Sequence, residues 1–314
     1  MYLICGEALY DVFVDSSATN AGGTVSLYAK AGGSPHNVAI GLARLGCAVA
    51  FATEIASDTL GRRLELRLQT EGVDCQFIRR TAKSTPLAMV DVDAAGVAHF
   101  AFHGLNDLLF HPKLSAVKQQ WKSIVGVHVG SIPIVSEHSS AQLLNLVAST
   151  PDKVLVSFDP NIRLSLQPDV QRWANAVENF RRYVHLIKVS EEDLYQLYGL
   201  DADVDALAKS WLSDRCSLVV LTRSERGATL FSRSAGTVGI EAVPVVVADT
   251  VGAGDSFQAA MLAWLAENRN ASPSRLANLQ FSELQALGRF AARAAAITCR
   301  YRGPEFPYRK ALYS

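Results

Sequence analysis

Asp249-Thr250-Val251-Gly252-Ala253-Gly254-Asp255-Ser256-Phe257 joins two segments of different period. The apolar, β-branched run Val243 to Val247 precedes it; Phe257, Met261 and Trp264 follow at i, i+4 and i+7. The pattern predicts a strand, a glycine turn and a helix. At such a turn, free backbone N–H groups and the positive end of the helix dipole converge on an anion. Gly252 and Gly254 permit close backbone approach, so the N–H groups of Ala253, Gly254 and Asp255 could face a phosphate. Asp255 adds a carboxylate at the same place. An acid there is a poor choice for holding phosphate alone and a good one for taking a proton from a hydroxyl that attacks a phosphoryl group. The other role open to Asp255 is a helix N-cap. The loop is not a Walker A sequence, since no GxxxxGK[ST] occurs. It is also a weak dinucleotide fingerprint, because the third glycine is missing and the loop lies late in the chain.

Working outward, strand-like runs recur at Tyr2–Cys5, Ala48–Thr53, Ile124–Val129, Lys153–Phe158, Val184–Val189 and Ser217–Thr222. Several are near-continuously apolar, as strands buried on both faces of a parallel sheet are. Helical stripes alternate with them, at Val38, Leu42 and Leu45, at Leu60, Leu64 and Leu68, and at Leu143, Leu144 and Val147. The expected fold is α/β, with a doubly wound, mostly parallel sheet and helices on both faces. With no repeat or low-complexity linker, residues 1–314 are expected to form one main domain. Two stretches break the rhythm. Val12 to Ala31 is a β-like excursion holding Ala21-Gly22-Gly23, and Thr85 to His103 reads as a hairpin turning at Asp93-Ala94-Ala95-Gly96. Insertions at about 12–31 and 84–104 would form a small sheet, either a lid that excludes water or a decoration that makes a dimer contact.

Lys+Arg and Asp+Glu are 30 each, so the formal charge is zero, which argues against nucleic acid or an anionic membrane as the main partner. The 5 cysteines are scattered without a CxxC, which suits reduced thiols better than a metal site. Met1-Tyr2-Leu3-Ile4-Cys5-Gly6-Glu7 lacks a basic leader, and no apolar run approaches the ~20 residues a membrane span needs. A cytoplasmic location is expected.

Other polar groups cluster at predicted strand ends. Gly32-Gly33-Ser34-Pro35-His36-Asn37 combines a glycine pair with an amide suited to polyol hydroxyls, or simply makes a capped turn. Asp159-Pro160-Asn161-Ile162-Arg163 follows the Lys153–Phe158 strand, where open α/β sheets bind ligands; Arg163 could hold an oxygen, and Asp159 and Asn161 could equally shape a turn. Ser190-Glu191-Glu192-Asp193 reads as a capping-box start to a helix. Asp11, after the first strand, could accept two sugar hydroxyls or be a solvated turn acid.

Together these residues resemble the ribokinase-like (PfkB) family of carbohydrate kinases over essentially the whole chain. Asp249 to Asp255 is similar to its C-terminal D-T-x-G-A-G-D signature, and Gly32-Gly33 through Asn37 to Gly46 to its N-terminal one. The resemblance implies ATP, Mg²⁺ and a β lid, with Asp255 as general base and Gly252, Ala253 and Gly254 as the anion hole. It implies sugar contacts at Asp11, Gly33, Asn37 and Arg163. It places the nucleotide against Ser190, against Thr222, Ser224 and Gly227, and beside the Ala291–Ala296 stretch. Asp249 and Val251 match positions that in some members hold a potassium-type ion through backbone oxygens. The family often has N-x-x-E where this chain has Ser190 to Asp193, so Asp193 would reach Mg²⁺ through water.

Within the family the chain looks most like the fructokinase branch, which shares several features with 2-keto-3-deoxygluconate kinases. Thr85 to Asp107 holds no Lys or Arg, leaving Arg163 as the main identifiable cation near the site. Phe100 and Phe102 suit a neutral ketose better than an acid sugar. The expected reaction is phosphorylation of D-fructose to fructose 6-phosphate. The alternatives are the keto-deoxy acid, another sugar or a nucleoside, and a non-catalytic sugar sensor that would have no need of Asp255. A dehydrogenase would need a glycine fingerprint after an early strand, where this chain has Glu7 and Asp11. A homodimer through the lid is plausible on the apolar pattern of its strands.

Overall fold

The computed structural model describes residues 1–14, 24–92, 98–104 and 113–313. An 8-stranded sheet runs in the order Gly236–Ile240, Ala228–Ser232, Leu218–Thr222, Leu186–Ser190, Leu155–Asp159, Gly126–Gly130, Tyr2–Cys5, Val49–Ala52. From Leu218–Thr222 to Val49–Ala52 every neighbour is parallel; the two strands at the other edge are antiparallel.

Strand alternation divides the apolar side chains into two cores. Ile4, Leu155, Leu186 and Leu218 face one, with the helices Ser34–Arg44, Ala253–Glu267 and Phe281–Thr298. Val129, Val156, Phe158, Ile187 and Val189 face the other, with Leu143, Trp173 and Leu194 of the helices Glu137–Ala148, Val170–Arg181 and Glu191–Tyr198. This is the doubly wound arrangement that the apolar runs predict, since a strand covered on both faces has no solvent side to make polar.

The expected strand at Val243–Val247 does not form. Pro244 removes a ladder donor at the second position of the run, and Val246 and Val247 are exposed. The edge positions go instead to Ala228–Ser232 and Gly236–Ile240, which the sequence reading missed; the latter is half-exposed.

A second, 4-stranded sheet has the order Leu27–Gly32, Leu9–Val14, Leu87–Val92, Ala98–His103. Its first strand begins at Leu9, earlier than the boundary at Val12. Leu87–Val92 and Ala98–His103 form the expected hairpin, with Ala88 opposite Phe102. The expected turn at Asp93 to Gly96 and the Ala21-Gly22-Gly23 segment lie outside the described residues. Leu9, Ala88 and Ile132, with Phe102 against them, form a small apolar cluster that ties this sheet to the segment after Gly126–Gly130. Among the described residues no helix is long and apolar enough to cross a membrane.

Candidate active site

The polar groups gather at the carboxyl ends of the parallel strands. Glu7 follows Tyr2–Cys5, Asp159 ends Leu155–Asp159, Ser190 ends Leu186–Ser190 and Thr222 ends Leu218–Thr222. Two long helices start there. Gly33 precedes Ser34–Arg44 at φ 98°, and a Cβ on it would lie 2.7 Å from the Glu7 carbonyl oxygen, so no other residue fits unstrained. Gly252 occupies the N-cap of Ala253–Glu267 in the left-handed region, with φ 81°.

Asp255 therefore is not the cap. It lies within the first turn, buried, where its carboxylate accepts from Ser34 Oγ at 2.7 Å and from Asn37 Nδ2 at 2.9 Å. Burial pushes the Asp255 carboxyl above the usual carboxylate range. The hydrogen bonds from Ser34 and Asn37 and the charge of Lys188 oppose that rise, and Asp159 adds to it.

Behind this pair stands Glu7, 2% exposed. Its Oε1 accepts from the Ser34 backbone N–H at 3.2 Å and from Ser131 Oγ at 2.8 Å, while Oε2 has no partner among the described residues. Burial pushes its carboxyl up to about 7; hydrogen bonds from its own backbone, Ser131 and Ser34 resist, and the Asp255 charge adds to the rise.

Asp11 lies over Gly32: a Cβ there would meet Asp11 Oδ2 at 2.3 Å. Burial lifts Asp11 to about 6, with Arg163 pulling it down and Asp255 pushing it up, so these three groups share one field. Arg163 Nη1 donates to the Ile162 carbonyl at 2.7 Å. Asp193 is engaged by the protein on both oxygens. Oδ2 accepts from Ser190 N at 3.0 Å and Ser190 Oγ at 2.6 Å, completing the predicted capping box, and Oδ1 accepts from Ile162 N at 2.8 Å.

Thr222, Ser224 and Gly227 stand apart from this cluster. With Ser190, Glu191, Tyr195 and Arg223, the first two line an open cleft of about 380 Å³. Gly227 closes the loop at φ 82°, with its carbonyl accepting from Arg223 N at 2.8 Å. Arg223 is tied to Glu191 at 3.2 Å and Asp205 at 2.6 Å. The Asp249 carboxylate accepts from Val251 N at 3.1 Å and Gly303 N at 2.7 Å, which staples the glycine loop to the chain beyond the last long helix. Phe102 sits on the second sheet rather than among the polar groups.

Arg163 is not the main cation near the site. Lys188, 5% exposed, donates to Asp159 Oδ2 at 2.6 Å beneath the glycine loop. The sequence pattern places Lys188 inside the expected Val184–Val189 strand and draws attention to Ser190 and Asp193 beyond it. The Lys188 side chain shares a strand face with Leu186, so a lysine in an otherwise apolar strand was the available signal. Ser34 and Glu7 were also missed as site residues; Ser34 directly follows Gly33, whereas Glu7 joins the site only through the fold, by accepting from the Ser34 N–H.

The pfkB family carbohydrate kinase profile matches residues 2–311. A fructokinase of Rhizobium leguminosarum bv. trifolii is 30% identical over 285 residues, which is 91% of this chain and 86% of the relative. A fructokinase of Klebsiella pneumoniae is 34% identical over 270 residues, 84% of this chain and 83% of the relative. Among solved structures, the fructokinase of Xylella fastidiosa with bound ATP has a TM-score of 0.80 at 24% identity, covering 98% of this chain and 94% of that one. The ribokinase of Giardia lamblia has a TM-score of 0.78 at 18% identity, covering 99% and 98%. These structures share the ribokinase-like fold with this chain.

Proposed function

The chain belongs to the pfkB family of carbohydrate kinases, and we propose that it transfers the γ-phosphoryl group of ATP to the primary hydroxyl of D-fructose, giving fructose 6-phosphate. The observation that carries this reading is Asp255, buried in the first turn of a helix that opens on a glycine loop and held by Ser34 and Asn37. A base works best when its pKa lies nearer the working pH, and burial moves Asp255 in that direction. Turnover is expected to fall as pH drops through the Asp255 pKa, because the protonated acid cannot accept the hydroxyl proton.

In this mechanism Asp11, Asn37 and Arg163 hold sugar hydroxyls, and Gly33 gives them room. Asp255 takes the proton of the primary hydroxyl. The N–H groups of Gly254 and Asp255 then face the charge that develops on the transferring group; the Ala253 N–H, expected beside them, is instead donated to the Thr250 carbonyl at 3.1 Å. Ser190, Thr222, Ser224 and Gly227 form the nucleotide side. Mg²⁺, when bound with ATP, would neutralise phosphate charge. Asp193 already accepts on both oxygens, so the residues present fit a metal held by nucleotide and water, with Asp193 behind the water. A K⁺ ion would sit on the backbone oxygens of Asp249 and Val251. The 4-stranded sheet serves as the lid. The exposed Val14, Leu27 and Tyr28 on it give a homodimer an apolar surface.

The neutral ketose is favoured over an acid sugar because the extra cation, Lys188, is buried against Asp159 and the glycine loop rather than open to a substrate carboxylate. An ADP-release assay across fructose, ribose, 2-keto-3-deoxygluconate, fructose 6-phosphate and nucleosides tests this, with Asp255→Asn as control. Fructose should turn over best, and Asp255→Asn should lose about 10²–10⁴-fold. Activity on the keto-deoxy acid alone would overturn the substrate. Equal sugar binding by both proteins with no turnover would make the protein a sensor.

A further inference from the structure

Beneath the first turn of Ala253–Glu267 the sheet is polar where the rest of that face is apolar. Alternation places His128, Ser157, Asp159 and Lys188 on the face that also presents Leu155 and Leu186. His128 Nδ1 and Ser157 Oγ are 2.8 Å apart, and Asp159 takes the Lys188 ammonium at 2.6 Å. The ammonium also reaches the glycine loop: a Cβ built on Gly254 would lie 3.1 Å from Lys188 Nζ. Lys188 therefore packs against the backbone whose N–H groups form the anion hole, in the space where any other residue would carry a side chain. Four residues on, on the same helical face, Gln258 is fully buried with neither amide atom partnered among the described residues.

We propose that Lys188, fixed by Asp159, is a positioning residue that supplies permanent positive charge to the anion hole and to the base, Asp255. The proposal rests on the sugar-kinase reading above. A cation this deep needs a partner, because burial strips its hydration, and Asp159 at 2.6 Å provides one. Burial alone would lower the Lys188 pKa; Asp159 outweighs it, with Asp193 and Asp255 adding, so the ammonium stays charged. His128, pushed down to about 3 by burial and by Lys188, adds no competing charge. The groups that face Asp255 are then Ser34, Asn37, Lys188, Asp159, Glu7 and Asp11. Lys188 is the cation among those that pull its proton off.

A structural ion pair and a field-setting one differ in what a neutral replacement restores. Removing one partner strands a buried charge, whereas removing both is often tolerated. The full-length protein is therefore compared with Lys188→Met and with Lys188→Met/Asp159→Asn, reading melting temperature, kcat and sugar KM. The single variant should lose about 10²-fold in kcat with sugar KM little changed, as when one oxyanion donor is removed. The double variant should regain melting temperature and not kcat. A double variant with near-wild-type kcat would overturn the proposal and leave the pair purely structural. A second readout needs no turnover: the Asp255 carboxyl is followed by carbon NMR titration, its signal assigned with Asp255→Asn. In Lys188→Met its midpoint should move to higher pH, since a stabilising cation is gone; an unmoved midpoint overturns the proposal. A wild-type protein inactive on every sugar would instead sink the sugar-kinase reading, and the titration would still report on Lys188.

Discussion

Glu7 shows how single residues set the chemistry of this site. Its carboxyl holds the start of Ser34–Arg44 through the Ser34 N–H, yet Oε2 is buried without a partner among the described residues. In the fold its pKa is about 7, against 4.5 for the free side chain. The folded state thus binds a proton that the unfolded chain has released between those two values. The stability Glu7 contributes in its neutral form is complete below pH 4.5 and is lost as pH rises through 7. Glu7→Gln cannot titrate. Relative to wild type it should gain on the order of 3 kcal/mol of unfolding free energy between pH 4 and pH 8, by denaturant titration at both pH values. A pH-independent difference would show that Glu7 stays ionised. Asp255 and Asn37 were legible as candidates because each sits in a short glycine motif. Ser34 shares the Asn37 motif and Lys188 interrupts an apolar strand, but nothing near these residues or Glu7 in the chain tells which distant groups they will meet; the Ser34 partner is a carboxylate 221 residues away.

At the scale of elements, the glycine loop and the helix Ala253–Glu267 act as one unit. The turn needs φ 81° at Gly252, and a Cβ there would come within 2.9 Å of Pro304 Cβ. Gly252→Ala should therefore lower the unfolding free energy by about 1–3 kcal/mol, from the left-handed backbone and the contact together. On the anion-hole reading it should also reduce kcat more than sugar KM, because the displaced N–H groups would face the transferring group rather than the bound sugar. Stability by chemical denaturation and steady-state kinetics check both; unchanged kcat would separate the loop from the chemistry. The helix was readable from its 3.6-residue period. The strand expected before it was not real, because Val243 to Val247 has strand composition but Pro244 at its second position and solvent around Val246. Composition sets a preference for extended backbone, while a sheet edge with free partners decides whether a strand forms.

For the whole molecule, the question is how a sheet of strands buried on both faces is joined to the smaller sheet beside it. Leu9, Ala88 and Ile132 make that joint, and Phe102 packs on them. On the lid reading, Phe102→Ala should loosen the joint, raise sugar KM roughly tenfold and increase ATP hydrolysis relative to transfer, because a lid that closes poorly admits water. Measuring ADP and sugar phosphate in the same reaction checks this; an unchanged ratio would make the small sheet a decoration. Periodicity, glycine spacing and two separated signatures are properties of neighbouring residues. From them the alternation of strands and helices, the two glycine turns and the carbohydrate-kinase family could be read off the chain. Strand order is not local. It places Lys188 beside Asp159 and beneath Gly254, brings Ser34 and Asn37 to Asp255, and gives the sheet edge to Gly236–Ile240 instead of Val243–Val247. Those pairings depend on how buried faces stack across the sheet, so only the folded chain decided which charges meet.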